Sequence, residues 1–202
     1  ASEQAKVVYT SVQEDKTNDL FVARLYEASG QNGTVEKGKL IPTGEAPGIH
    51  NGMATFSKEG KKMFFTRWMV NNGITTAAIY SSDKTDTGWT KPVPLPAPVN
   101  MEGSNSAQPF ITTDGKYLLF SSDREGGVGK YDIWYASLDS SFNALLVTNA
   151  GNIVNTAGNE VTPSYHQSSR ILLFSSNGHI GMGGYDVFSA KGDFQLSNWD
   201  KP

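Results

Sequence analysis

The chain has 202 residues, enough for one domain. It is 38% hydrophobic and 18% charged, with 21 glycines, 9 prolines and 11% aromatic residues, too aromatic for a disordered chain and too rich in turn formers for a helical bundle. Seventeen Lys and Arg against twenty Asp and Glu leave a formal charge of -3, which supplies neither the basic field of a nucleic-acid binder nor a polybasic membrane patch.

With no Cys, disulfides, thiolate metal sites and cysteine nucleophiles are excluded. The longest apolar runs are four residues, such as Tyr117-Leu118-Leu119-Phe120, against the roughly 20 that a membrane helix needs. Ala1-Ser2-Glu3-Gln4 has neither the cationic start nor the apolar stretch of a signal peptide. An export or anchoring signal, if the intact protein uses one, is expected outside these residues.

In chain order, the elements repeat. Val8-Tyr9-Thr10-Ser11 and Asp19-Leu20-Phe21 open a divergent first copy. Fourfold apolar spacing over Asp19 to Tyr26 also suits a helix, but alignment with the later copies favours a strand. The second copy contains Met63-Phe64-Phe65-Thr66, the third Leu118-Leu119-Phe120-Ser121, the fourth Leu172-Leu173-Phe174-Ser175. Phe65 to Phe120 is 55 positions and Phe120 to Phe174 is 54. A second aromatic column, Tyr80, Trp134 and Phe188, repeats at 54 and 54. Such a period marks repeated supersecondary units, here about 7–46 (a partial unit), 47–100, 101–155 and 156–202.

Within each copy the short apolar run reads as a strand buried on both faces. It follows a hairpin turn, Asp114-Gly115 in the third copy, with Glu59-Gly60 and Ser168-Ser169 in its place elsewhere. A glycine-rich loop comes next, carrying Gly127, Gly129, Tyr131 and Asp132, or Gly181, Gly183, Tyr185 and Asp186. It feeds another strand, and a polar turn with Trp-x-Lys-Pro closes the unit at Trp89 and Trp199. About four short strands per unit, stacked radially, predict an all-β propeller of antiparallel blades.

The run Asp114-Gly115-Lys116-Tyr117-Leu118-Leu119-Phe120-Ser121-Ser122-Asp123-Arg124 resembles the PD40, or WD40-like, repeat of TolB-type propellers. The Gly-Gly-x-Gly-x-Tyr-Asp-Ile continuation is similar to copies in outer-membrane-associated proteins of Bacteroidetes that carry an OmpA-like peptidoglycan-binding domain, such as PorE-like components of type IX secretion. The resemblance spans nearly all of residues 7–202. The first copy departs most, with Val12 to Thr17 in place of the glycine-rich loop. The resemblance implies a periplasmic or outer-membrane-associated scaffold that binds protein partners. It leaves two alternatives: an accessory propeller of a prolyl-oligopeptidase-like peptidase, and a TolB-like propeller that captures a partner's peptide.

Counting strands from the innermost one outward, the first copy lacks that strand and the last ends as its outermost strand begins. The expected total is fourteen, against the sixteen of four complete four-stranded units. Part of a larger propeller is the reading this favours, the remainder being another chain or a missing segment.

The sequence offers no catalytic constellation. His50, His166 and His179 occupy different places in their repeats, without metal-ligand spacing. There is no Gly-x-Ser-x-Gly elbow. The loop Gly181-Met182-Gly183-Gly184 lacks the third glycine of a dinucleotide fingerprint and precedes a strand where a helix is required. Ser82 to Trp89 holds the ingredients of a sialidase box without its spacing. No cofactor, metal or nucleic acid is expected, and no direct membrane insertion by this chain. Asp132 and Asp186 are expected to accept turn amides. Asn51, Ser106 and Glu160, at aligned positions before the innermost strands, are the candidate binding residues at the mouth of the central channel.

Overall fold

A computed structural model describes residues 5–15, 20–31, 34–195 and 198–202. Part of the divergent segment of the first copy, residues 16–19, lies outside them. The described residues form β-strands and no helix. The first sheet comprises β1 (Ala5–Asp15), β2 (Leu20–Gln31) and two short strands that both pair with β2, β3 (Thr34–Val35) and β4 (Lys39–Leu40). The second runs β5 (Ile49–Phe56), β6 (Lys62–Asn71), β7 (Ile74–Thr85) and β8 (Gly88–Trp89), with β9 (Val93–Pro94) also on β7. The third is β10 (Ser106–Ile111), β11 (Tyr117–Ser122), β12 (Asp132–Leu138) and β13 (Ala144–Asn149). The fourth is β14 (Glu160–His166), β15 (Ile171–Ser176), β16 (Asp186–Asp193) and β17 (Asn198–Trp199). All four are antiparallel meanders, and β5, β10 and β14 adjoin one another along the inner side.

The two aromatic columns of the sequence form one cross-strand pair per sheet. Phe65 lies opposite Tyr80, Phe120 opposite Trp134 and Phe174 opposite Phe188. In the first sheet the pair is Tyr9 and Tyr26, stacked at 5.7 Å. Aligning Phe21 with the second column is therefore corrected: it stands opposite Glu14, because the β1–β2 hairpin is longer than its counterparts and carries the column five residues on. The strand reading of this segment holds, as part of β2.

The core lies between sheets. Leu25 and Ile41 of the first copy pack with Met63 and Phe65. Phe64 and Ile79 pack with Leu118, Phe120 and Trp134, while Leu119, Ile133 and Tyr135 pack with Leu172, Phe174 and Trp199. Alternate residues of β6 and β11 thus point to opposite neighbours, which is why these strands are apolar throughout rather than alternating. Each buried Phe or Leu contributes about 1.5–3 kcal/mol.

The turns follow their residues. Gly115 sits at φ 71° and Gly60 at 65°, a region open to glycine at little cost. Asp114 fixes the third-copy turn by accepting from Thr112 Oγ1 at 2.6 Å and Lys116 N at 3.1 Å. In the fourth copy, where serines replace Asp-Gly, the left-handed residue is Arg170, one position later.

Candidate functional site

The innermost strands carry a repeated irregularity. Each has a β-bulge, between Gly52 and Thr55, Ala107 and Phe110, and Val161 and Ser164. At the heart of each bulge a non-glycine residue is left-handed: Met53 (φ 54°), Gln108 (57°) and Thr162 (53°). The strain persists because the neighbouring sheet holds the freed amide. Met53 N donates to Thr10 Oγ1 at 3.0 Å and Gln108 N to Thr66 Oγ1 at 2.7 Å. Thr162 N donates to Gln108 Oε1 at 2.9 Å, which also accepts from Ser121 Oγ at 3.0 Å. These latches link consecutive sheets along the inner side.

The bulges border a cleft of about 610 Å³, lined also by Val8 and Thr10 of β1 and by Phe56 and Phe110. None of its lining residues is charged. Such a cleft suits an uncharged, partly apolar segment held by backbone and amide hydrogen bonds.

The sequence-predicted channel residues stand elsewhere. Asn51, Ser106 and Glu160 are buried and do not line the cleft. Asn51 Oδ1 accepts from Arg67 Nε at 2.8 Å. Ser106 Oγ donates to the Val99 carbonyl at 2.8 Å and accepts from Arg124 Nη2 at 3.1 Å. Glu160 accepts from Thr156 N, Thr156 Oγ1 and Ser176 Oγ at 2.6–2.7 Å. The correction has a simple cause: the bulge reverses the facing of the strand, so the cleft-lining positions come two residues later, at exposed Met53 and half-buried Gln108 and Thr162. Pro109 and Pro163, directly after two of them, were the available signal, because a strand proline marks a break in the ladder.

Three different side chains cover the aromatic pairs. The Arg67 guanidinium lies 4.4 Å from the Tyr80 ring centre and donates to the Thr43 carbonyl. Arg124 lies 4.8 Å from Phe120 and 5.2 Å from Trp134 and donates to the carbonyls of Pro98 and Val99. Burial pushes its pKa down to about 10, with Asp123 opposing the shift. His179 takes this place in the fourth sheet, 5.0 Å from Phe188, with Nε2 2.8 Å from the Val154 carbonyl. Each lid ties an aromatic pair to the loop preceding its own sheet.

The glycine-rich loop of the third copy is organised by Asp132, which is buried. Its carboxylate accepts from Val128 N at 2.5 Å, Gly129 N at 3.0 Å and Asn149 Nδ2 at 2.8 Å. A Cβ on Gly127 would meet this carboxylate, and one on Gly129 the Thr156 carbonyl. In the fourth copy Asp186 accepts from Met182 N at 2.7 Å, and a Cβ on Gly181 would strike the Asp186 carboxylate. Tyr131 is half-buried and Tyr185 exposed.

The remaining histidines are apart. His50 Nδ1 accepts from Ala23 N at 3.4 Å. His166 has a serine near each ring nitrogen, Ser169 at 2.7 Å from Nδ1 and Ser168 at 3.4 Å from Nε2. Among the described residues no group of three or more His, Cys, Asp or Glu could hold a metal ion, and no helix is long and apolar enough to cross a membrane.

No protein-family model and no curated protein matches the sequence. Solved structures do match the fold. A protein described as TolB from Agrobacterium tumefaciens is similar at TM-score 0.60 and 20% identity, over 96% of this chain and 60% of that one. TolB from Acinetobacter baumannii is similar at 0.56 and 22%, over 92% and 38%. A puromycin-hydrolysing peptidase from Mycobacterium tuberculosis is similar at 0.54 and 12%, over 94% and 28%. The chain therefore spans less than two thirds of the length of each. With four antiparallel sheets in propeller arrangement and these neighbours, the chain has a TolB-like β-propeller fold.

Proposed function

We propose that this chain is a non-catalytic interaction module of the bacterial cell envelope, in a periplasmic or outer-membrane-associated protein akin to the PorE-like, OmpA-linked components of type IX secretion. The observation that carries the interaction role is the uncharged cleft built on Met53, Gln108 and Thr162, whose backbone is fixed by inter-sheet hydrogen bonds. A rigid wall bearing one amide side chain and apolar neighbours favours an extended protein segment over a charged metabolite. The envelope setting is supported by the repeat motif and by the TolB-like fold.

The test is site-specific photo-crosslinking in cells of the source bacterium. A photoreactive residue at Gln108 is expected to capture an envelope protein, and one at exposed Lys191, on the fourth sheet, is expected not to capture the same species. Absence of any Gln108-specific product would overturn the interaction role. A cytoplasmic partner would overturn the envelope setting. Peptidase activity copurifying with the intact protein would replace both with the accessory-propeller role.

A further inference from the structure

Two equivalent seams between sheets are filled differently. Between the third and fourth sheets, Phe194 of the β16–β17 connection is buried among four aromatic residues. Tyr165, Tyr117, Tyr135 and Trp199 stand 4.5, 4.8, 5.1 and 5.2 Å from it, centre to centre. Register identifies their counterparts between the first and second sheets. Lys6 and Glu27 hold the same offsets from the Tyr9–Tyr26 pair that Tyr117 and Tyr135 hold from Phe120–Trp134. Phe56 follows left-handed Met53 at the distance in sequence at which Tyr165 follows Thr162. Trp89 lies opposite Lys84 as Trp199 lies opposite Gly192.

Phe194 itself has no counterpart, because the β7–β8 connection is only Asp86-Thr87. A cavity of about 470 Å³ lies there instead, lined by Lys6, Glu27, Phe56 and Trp89. The two rings that remain, Phe56 and Trp89, are 5.8 Å apart. Lys84 Nζ stands 4.6 Å from the Trp89 ring centre and 3.7 Å from Glu27 Oε2, and Lys6 Nζ 3.0 Å from Glu27 Oε1. Lys58, Lys61 and Glu59 complete the charged lining, so four lysines face two glutamates in a chain of net charge -3. Lys58 and Lys61 have no ion pair among the described residues. The turn between β5 and β6 adds two donors. In the third copy the equivalent donors, Thr112 Oγ1 and Lys116 N, are taken by the Asp114 carboxylate. In the second, Glu59 replaces Asp114 and makes neither bond. Ser57, which lines the cavity, is 4% exposed; its Oγ accepts from Lys62 N at 3.1 Å but has no acceptor among the described residues, nor has Lys61 N.

We infer that this cavity is a binding site for an aromatic carboxylate. The ring takes the place that Phe194 fills in the other seam, against Phe56 and Trp89. The carboxylate takes the donors that Asp114 satisfies in the third copy, Ser57 Oγ and Lys61 N, with the ammonium groups of Lys58 and Lys61 beside it. Entry of the ring displaces Lys84 from the Trp89 face, and its flexible four-carbon stem lets the ammonium turn to the incoming charge. An inorganic anion would leave the ring slot empty, and an uncharged ring would leave the lysines unpaired, so both parts of the ligand are needed. A free aromatic acid and a partner chain ending in an aromatic residue share this chemistry. The inference is independent of the envelope role and of the cleft on Met53, Gln108 and Thr162.

The test is calorimetric titration of the 202-residue chain with N-acetylphenylalanine, with its uncharged amide and with acetate. The acid is expected to bind at least tenfold more tightly than either control. Lys58→Gln combined with Lys61→Gln is expected to weaken the acid at least tenfold at an unchanged melting temperature, since both side chains are exposed. In NMR spectra the ligand ring protons are expected to show cross-relaxation with the Trp89 indole, and the Lys61 amide is expected to shift. An acetylated tripeptide ending in phenylalanine that binds more tightly than the free acid would support the site and assign it to a partner's chain end. Equal or weaker binding of the tripeptide would support it and assign it to a free acid. Equal affinity for acid and amide, unchanged affinity in the double variant, or ligand contacts at Met53 and Gln108 in place of Trp89 would each overturn the inference.

Discussion

The third and fourth sheets share a sequence pattern and differ in what covers them. Phe120 and Phe174, Leu118 and Leu172, and Asp132 and Asp186 correspond one for one. On the faces turned toward the preceding sheet, both copies bury their residues: Leu118, Phe120, Leu172 and Phe174 are all in the core. On the opposite faces the burial is lost in the fourth sheet alone. A repeat motif thus specifies strand, turn and face. The energy each side chain contributes depends on the neighbour, because the hydrophobic term scales with the area removed from water.

The largest expected effect sharpens the shared half of this comparison. Trp134 is packed between the second and third sheets and under the Arg124 guanidinium. Trp134→Ala is expected to cost about 3–5 kcal/mol in chemical denaturation. A loss below about half a kcal/mol would put Trp134 at the surface and break the assigned strand register.

The next effect addresses the difference directly. Leu119→Ala is expected to lose about 3 kcal/mol and Leu173→Ala less than about 1 kcal/mol, since only the first opens a cavity. Equal losses in urea titrations of the two variants would show that the fourth-sheet face is covered in solution. A smaller pair follows in the loops. Asp132→Ala removes three hydrogen bonds and is expected to cost about 2 kcal/mol, against about 0.5 kcal/mol for Asp186→Ala, which removes one. Comparable melting temperatures for the two variants would show that Asp132 is not the organiser of its loop.

The smallest effect lies at the other end, between the first and second sheets. Desolvation raises the Glu27 pKa, but hydrogen bonding and attraction from Lys6 and Lys84 outweigh it and leave it lowered. A lowered folded-state value means stability that is present above the unfolded carboxylate range and lost as pH falls through the folded pKa. The pair is solvent-exposed enough to be screened, so Glu27→Gln is expected to cost about 0.3 kcal/mol near neutral pH. That difference should vanish in acid and in about 1 M salt. A difference that persists under both conditions would assign the effect to packing instead.

The lids over the aromatic pairs show why part of the site was hidden. Arg67, Arg124 and His179 act at equivalent places but do not share one spacing, and one of them is a different residue type. Long side chains reach a common point from different backbone positions, so no column forms. Phe65, Phe120 and Phe174 do form a column because the pleat fixes where each one points. The same distinction explains the first copy, where a longer hairpin moved the aromatic partner to Tyr26 while the pair itself survived.

By itself the sequence determined the repeat, the all-β architecture, the doubly buried strands and the carboxylates that gather turn amides. Those features depend on local chemistry and a constant period, both carried along the chain. Tertiary structure alone decided that Asn51, Ser106 and Glu160 turn inward while Met53, Gln108 and Thr162 line the cleft. It also decided that Leu173 and Val187 remain exposed where Leu119 and Ile133 do not. Each bulge is held by a hydroxyl or amide oxygen from the neighbouring sheet, and burial requires a neighbour. Both are contacts between residues far apart in the chain, and no local pattern encodes them.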